Sequence, residues 1–178
     1  MPKPVIPIVP PYTPELLPVV QYAVEGILAK GGEVFEFGSG YSTIWFASFA
    51  EVIAVEDDEE WYKELQKALK KAKPDPEPIV HLVEPETMAE TIDDYELFDL
   101  ILVDCRDDQR IPAIENSIPH VKPGGWLLLD DSHWPNMVNI KSLLKDWSST
   151  VVAGRHHRHW TEHGAVRDHQ TTFYQRPV

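Results

Sequence analysis

Glu36, Gly38, Gly40, Ser42 and Thr43 stand within one short stretch, Val34 to Thr43, that reads V-F-E-F-G-S-G-Y-S-T. An apolar run carrying one carboxylate breaks into two glycines spaced by one residue, then into two hydroxyl residues ahead of Ile44, Trp45 and Phe46. The pattern predicts a strand, a tight turn and a helix start. Glycine at 38 and 40 lets the backbone turn sharply and lets a ligand approach where a Cβ would collide. Ser42 or Thr43 can cap the helix, whose free N–H groups face the ligand. Such a turn suits a nucleotide-like molecule. About twenty residues further on, the run V-I-A-V from Val52 to Val55 ends in Glu56. An acid at that distance holds the ribose hydroxyls in dinucleotide-binding folds. The plainer role for Glu56 is that of a helix-start acid like its neighbours Asp57 and Asp58.

Three more acids leave apolar runs in the same way. F-D-L-I-L-V from Phe98 to Val103 is of the kind buried in a parallel sheet and ends in Asp104, and W-L-L-L from Trp126 to Leu129 ends in Asp130 and Asp131, with His133 close behind. Asp130 and Asp131 can also serve simply as caps of the next helix. Cys105, with no histidine paired to it locally, reads as a small packing residue. Trp126 and Trp147 read as core, and His81 and His120 as ordinary partly buried histidines. Residues 156 to 169 hold five of the eight histidines. Their spacing matches no familiar metal site, so a solvent-facing loop is the better reading.

Charge and composition narrow the possibilities. A chain of 178 residues is one ordinary domain. With 29 acidic against 16 basic residues its formal charge is -13, which repels phosphate backbones and anionic membrane surfaces, so nucleic acid and membrane partners are not expected. No apolar run reaches the length of a membrane span, and the proline-broken start does not read as a signal peptide, so a cytoplasmic location is expected. A single cysteine cannot form an internal disulfide. Nothing in the chain fixes an oligomeric state.

The elements that must position these groups alternate. Residues 1–12, with five prolines, form an extended arm, and residues 13–178 a single domain. Thr13 caps a first helix with Pro14 at its first position, apolar residues at Leu17, Val20, Ala23, Ile27 and Leu28, and a stop at Gly31 and Gly32. A mostly apolar helix spans Thr43 to Ala50. After Glu56 comes a helix with an acidic start and a basic end at Lys67, Lys70, Lys71 and Lys73, matched to its dipole, with Trp61, Leu65 and Leu69 facing the core. Ile79 to Val83 is a strand and Glu84 to Tyr95 a loop with one short helix. Helices are expected from about Ile111 to His120 and from Asn136 to Trp147. The last strands, Thr150 to Ala153 and Thr171 to Gln175, have no helical pattern between them and should pair antiparallel.

In their order, E-F-G-S-G-Y-S-T, the strand closing on Glu56, F-D-L-I-L-V-D and P-G-G-W-L-L-L-D-D resemble a class I S-adenosylmethionine-dependent methyltransferase over roughly residues 13 to 176. The resemblance implies a Rossmann-like three-layer αβα sandwich. Its seven-stranded, mostly parallel sheet would have the order 3-2-1-4-5-7-6 with the last strand antiparallel. It also implies S-adenosylmethionine over the carboxyl ends of the first, second and fourth strands. The glycine turn would cradle the methionine part, Glu36 would reach its ammonium group and Glu56 would take the ribose. The cofactor set is then Glu36, Gly38, Ser39, Gly40, Ser42, Thr43, Glu56, Asp57 and Asp104. Ser42 replaces the usual third glycine.

The expected activity is methylation of a small-molecule acceptor at oxygen. A hydroxyl acceptor must lose a proton, and Asp104, Asp131 and His133, leaving two strands over one crevice, are the groups placed to take it. In the catechol type of the family, positions matching Asp104, Asp130 and Asp131 hold magnesium, although the last is usually an amide there. A metal-free base is favoured here over that alternative. Arg155, Arg158 and Arg167 would rim the acceptor pocket and favour a small anionic acceptor. The competing classes are a NAD(P)-dependent oxidoreductase, which would want glycine at Thr43 and an apolar residue at Glu36, and a non-catalytic cofactor-binding module.

Overall fold

The computed structural model describes residues 12, 14–29, 31–157 and 166–178. The proline-rich arm up to residue 11, the expected cap Thr13, and residues 158–165, including Arg158, lie outside the described residues. So do the side chains of His156, His157 and Arg167.

Seven strands make one sheet: β1 Glu33–Phe37, β2 Glu51–Glu56, β3 Ile79–Leu82, β4 Phe98–Val103, β5 Val121–Leu129, β6 Ser148–His157 and β7 Val166–Gln175. Their order is β3-β2-β1-β4-β5-β7-β6. The first five strands run parallel, and β7 is antiparallel to both β5 and β6. This is the sheet that the resemblance implied.

Alternation along the strands explains the three layers. In β1, Phe35 and Phe37 enter one core with Val55, Ile101, Val103, Leu127 and Leu129, while Val34 enters the opposite core with Val52, Leu100, Leu102 and Leu128. Both sheet faces are therefore apolar and both need a cover. On the first face the cover is α4 Asp107–His120, the 3-10 turn Ala89–Asp94 and the short α5 Ile140–Leu143, bringing Ile114, Ile92 and Ile140. On the second it is α1 Pro18–Ile27 and α2 Tyr41–Phe46, bringing Val20, Val24 and Phe46. α3 Glu59–Ala72 packs Leu65, Ala68 and Leu69 against Ile44 at the sheet's flank.

Several boundaries differ from the sequence reading. α1 begins with Pro18 at its first turn, one helical turn later than the expected Pro14, which is buried ahead of it. α2 spans Tyr41–Phe46 and is capped by Gly40. Residues 84–95 form two 3-10 turns, Pro85–Thr87 and Ala89–Asp94. α4 starts at Asp107, so Arg110 belongs to it. The expected helix from Asn136 to Trp147 is a 3-10 turn, Pro135–Asn139, followed by the four residues of α5. Asn136 and Asn139 are poor helix formers, and Met137, Ile140 and Leu144 reach the core without a continuous helix.

β6 and β7 are longer than expected. Only Thr172 to Gln175 of β7 pair with β5, whereas residues 153–157 and 166–170 pair with each other as a ribbon beyond the sheet. The ribbon turns Gly154 toward Leu17 and His169 toward Asp130, so it lacks the apolar alternation that marks a strand.

The glycine turn fixes the edge where β1, β2 and β4 end. Gly38 has φ 87°, its N–H donates to Val55 O at 3.0 Å, and a Cβ there would lie 2.5 Å from the Asp104 carbonyl oxygen. Gly38→Ala should therefore lower stability in urea unfolding by about 1–3 kcal/mol from the backbone conformation alone, with the clash adding to it. Gly26, inside α1 with nothing within 4 Å of a Cβ, is the contrast. Gly26→Ala should raise stability by about 0.5–1 kcal/mol.

Candidate active site

β1 carries Glu36 to the carboxyl edge of the sheet and buries it completely. Two hydroxyls from α2 meet it there. Thr43 Oγ1 donates to Glu36 Oε2 at 2.6 Å, and Ser42 Oγ donates to Oε1. Ser42 and Thr43 thus turn inward to the carboxylate, and Thr43 also serves the helix start as the sequence suggested, from the third position of the helix. Gly40 holds the cap position, and its N–H donates to Thr43 Oγ1 at 2.8 Å. Burial pushes the Glu36 carboxyl up to about 7, against the lowering effect of the two hydroxyl bonds and with help from the charge of Glu56. A group held near neutrality in this way gains from any cation placed beside it.

Glu56 ends β2 as expected, and its carboxylate is well supplied with donors. Ser39 N and Ser39 Oγ donate to Oε2 at 3.0 and 2.9 Å, and the N–H groups of Asp57 and Asp58 donate to Oε1 at 3.1 and 3.0 Å. Burial raises its pKa while these bonds hold it down. Trp61 of α3 pins the other side of the turn, its Nε1 donating to Ser39 O at 2.6 Å. Asp58, not Glu56, caps α3, accepting from Glu60 N and Trp61 N. Asp57 lies beside it and is less well supplied. Its side chain is 4% exposed, its Oδ2 has no hydrogen-bond donor, and Arg106 Nη1 faces it at 3.3 Å.

The ends of β4 and β5 form the second half of the crevice. Asp104 follows β4, and its Oδ1 accepts from Arg110 Nη2 at 3.0 Å. Protein crowds it, and burial raises its pKa well above the ordinary value, with Asp130 adding to the rise and Arg110 opposing it. Yet 39% of the side chain faces open space, so water screens that effect. Arg110 is 2% exposed. Its Nη1 donates to the main-chain oxygen of Asp130, and the guanidinium lies 4.7 Å from the ring centroid of Trp134.

Asp130 is buried, accepting from Thr171 Oγ1 at 2.8 Å and facing His169 Nε2 at 2.9 Å. Asp131 sits in a left-handed conformation, φ 47°, with its Oδ1 3.5 Å from His169 Nδ1. Burial lowers the His169 pKa, but the bond to Asp130 and the charges of Asp130, Asp131 and Asp104 together raise it above its ordinary value. Facing atoms of Asp130, Asp131 and His169 lie within 4.8 Å of one another. Burial pushes the Cys105 thiol up to about 12, which suits packing and not nucleophilic attack.

The residues expected to hold the cofactor are thus gathered around one turn. Of the expected proton acceptors, Asp104 is paired with Arg110 and Asp131 with His169. His133 is exposed and lines a cleft of about 380 Å³ with Gly154, Arg155, Asp168, His169 and Gln170. This cleft runs along the ribbon of β6 and β7, beyond the carboxyl end of β5, and Arg155 borders it as expected of a residue rimming the acceptor pocket.

Two residues of the site were missed. Arg110 lay outside the expected helix, although Arg106 and Arg110 have the i, i+4 spacing of one helix face. His169 was counted in the histidine-rich tract, although His169, Thr171 and Phe173 alternate as one face of a strand.

A family model described as "Methyltransferase domain" matches residues 35–132. No curated protein sequence matches the chain. Among solved structures, an O-methyltransferase from Bacillus cereus in complex with SAH is similar, with a TM-score of 0.70 and 17% identity, covering 93% of this chain and 84% of that one. An O-methyltransferase from Streptomyces achromogenes involved in tomaymycin synthesis, in complex with SAM, has a TM-score of 0.70 and 15% identity over 90% of this chain and 78% of that one. The precorrin 8w decarboxylase of Methanobacterium thermoautotrophicum has a TM-score of 0.70 and 16% identity over 96% and 99%. At these identities the likeness is one of fold.

Glu36 generates a pH prediction. Its folded pKa, about 7, lies above the ordinary value of 4.5, so between those values the folded state binds the extra proton. The stability it contributes is complete below 4.5 and is lost as pH rises through 7. Relative to Glu36→Gln, wild type should lose up to about 3 kcal/mol between pH 4.5 and 7.5 in urea unfolding. Parallel profiles for the two proteins would show that Glu36 is ionised throughout.

Proposed function

The chain belongs to the methyltransferase-domain family, and from that premise we propose that it is an S-adenosylmethionine-dependent methyltransferase acting at oxygen on a small-molecule acceptor. The observation that carries this reading is the charge of the crevice. Glu36, Glu56, Asp57 and Asp104 converge around the Gly38 turn, and burial, with the charge of Glu56, pushes the Glu36 carboxyl up to about 7. An ammonium and a sulfonium are drawn to such a site, whereas the pyrophosphate of a nicotinamide dinucleotide is repelled. The SAH- and SAM-bound neighbours of the same fold support the choice.

Bound there, S-adenosylmethionine supplies a methyl group activated by a positively charged sulfur. The protein's share is to hold and orient. Glu36 sits where the ammonium group would be met, and Glu56 where the ribose would be, with Ser39 Oγ as the side-chain donor that a ribose hydroxyl would replace. Orientation of this kind can account for roughly 7–11 kcal/mol of a transfer barrier. A hydroxyl acceptor entering the cleft beside the β6–β7 ribbon would give its proton to the His133 ring, which faces that cleft. Arg155 borders the same cleft on a chain of net charge -13, which favours a small anionic acceptor. Its ion pair with Asp168, at 3.3 Å and largely exposed on both sides, is weak enough to exchange. Among the described residues no helix is long and apolar enough to cross a membrane. The one cysteine, free and buried, suits a reducing cytosol.

Calorimetry decides the cofactor: S-adenosylhomocysteine should bind and NADH should not, and Glu56→Ala should weaken binding by roughly 1.5–3 kcal/mol. Binding of NADH alone would sink the reading. A screen of hydroxylated acceptors, read out as S-adenosylhomocysteine formed, separates an enzyme from a binding module. With an anionic acceptor in hand, Arg155→Ala should raise KM about fivefold, or about 1 kcal/mol, at constant kcat. Equal KM values for anionic and neutral acceptors would remove the anionic preference.

A further inference from the structure

We propose that Arg110 is the resident cation of the acceptor crevice, a positioning residue standing where a divalent ion would otherwise join the ends of β4 and β5. The proposal rests on the reading of this crevice as a methyl-transfer site, but its test does not depend on activity.

The carboxylates that could serve as ligands, Asp104, Asp130 and Asp131, are engaged by the protein's own donors. Asp104 Oδ1 accepts from Arg110 Nη2 at 3.0 Å. Asp130 Oδ1 accepts from Thr171 Oγ1 at 2.8 Å and faces His169 Nε2 at 2.9 Å. Asp131 Oδ1 faces His169 Nδ1 at 3.5 Å. A divalent ion shared by Asp104 and Asp130 would have to displace the guanidinium. Arg110 is poorly placed to leave. It is 2% exposed, it holds the carboxylate beyond one strand and the main-chain oxygen beyond the next, and it lies over Trp134 at 4.7 Å. Displaced, it would be a buried cation without its carboxylate partner, which is strongly disfavoured.

The guanidinium also does what a bare ion cannot. Its planar fork presents donors in two fixed directions, so one side chain sets the distance between Asp104 and the turn after β5. It supplies permanent positive charge among three acids without depending on metal supply. Divalent-ion ligation through Asp104 therefore does not fit this arrangement, and Arg110 acts on the reaction only through the groups it positions.

The test uses metal ions alone. The purified chain is freed of metal by a chelator and titrated calorimetrically with MgCl2 and with MnCl2, and thermal unfolding is recorded with and without each ion. Wild type should show no saturable binding and no shift in Tm. Arg110→Gln, which removes the charge and frees Asp104, should bind Mn2+ at least about tenfold more tightly than wild type and gain Tm on its addition. Arg110→Lys, which keeps the charge, should resemble wild type. Should Arg110→Gln fail to fold, refolding with and without Mn2+ decides: recovery only with the ion supports the assignment, and failure in both overturns it. The proposal is also overturned by wild-type binding of either ion that Asp104→Asn or His169→Gln abolishes, or by a folded Arg110→Gln that is as indifferent to Mn2+ as wild type.

Discussion

The constraint on which the rest of this structure depends is the gathering of several carboxylates at one edge of a parallel sheet. A buried carboxylate is tolerated only when donors or cations replace its lost water. Each acid here has a particular solution. Glu36 takes hydroxyls from Ser42 and Thr43, Glu56 takes main-chain N–H groups and Ser39, Asp104 takes Arg110, and Asp130 takes Thr171 and His169. These donors come from α2, α4, β7 and the turns beyond β1 and β2. Satisfying the acids is therefore what ties the connecting segments to the sheet edge, and it fixes the crevice in shape before any ligand enters.

Parallel alignment makes such an edge possible. Strands β1, β2, β4 and β5 end side by side, so the first polar residue after each apolar run falls on the same line: Glu36 just inside the end of β1, Glu56 at the end of β2, Asp104 after β4 and Asp130 after β5. The antiparallel β7 then enters that line from the opposite direction. Its register sets Thr172 beside Leu129, which carries Thr171 and His169 just past the end of β5 and against Asp130. A histidine distant in sequence thereby joins the acids, at the strand that closes the fold.

This geometry explains what could and could not be read from the chain. Runs such as F-D-L-I-L-V reveal strands because both sheet faces are covered, and the acid that ends each run is visible as the first break in hydrophobicity. The order of strands came from resemblance, because nothing local distinguishes one parallel arrangement from another. Arg110 and His169 were not legible for a different reason. Each is a polar residue buried by partners that are far away in sequence or across a turn, so its spacing can mark a face of an element but not that the face is buried. The helix expected after His133 failed for a related reason. Met137, Ile140 and Leu144 carry helical spacing because they must all reach the core, yet two asparagines and a proline leave only a broken path between them.

The same logic bears on why one turn can serve opposite ligands. A strand, a glycine turn and a helix start offer N–H groups and close backbone approach, and by themselves these favour anions. What reverses the preference here is the set of side chains around the turn. Glu36 lies beside it and Glu56 receives its Ser39 N–H, while the main-chain carbonyl of Asp104 abuts Gly38 so closely that no side chain fits between them. The N–H group most available to a phosphate is already spent on a carboxylate, and the local field is negative. A phosphate-binding chain of this fold can keep an acid at the end of β2 for a ribose, but a buried carboxylate in the place of Glu36 works against the phosphate. A chain that keeps an acid at position 36 favours a cationic ligand, and the identity of that residue decides between the two more directly than the number of glycines does.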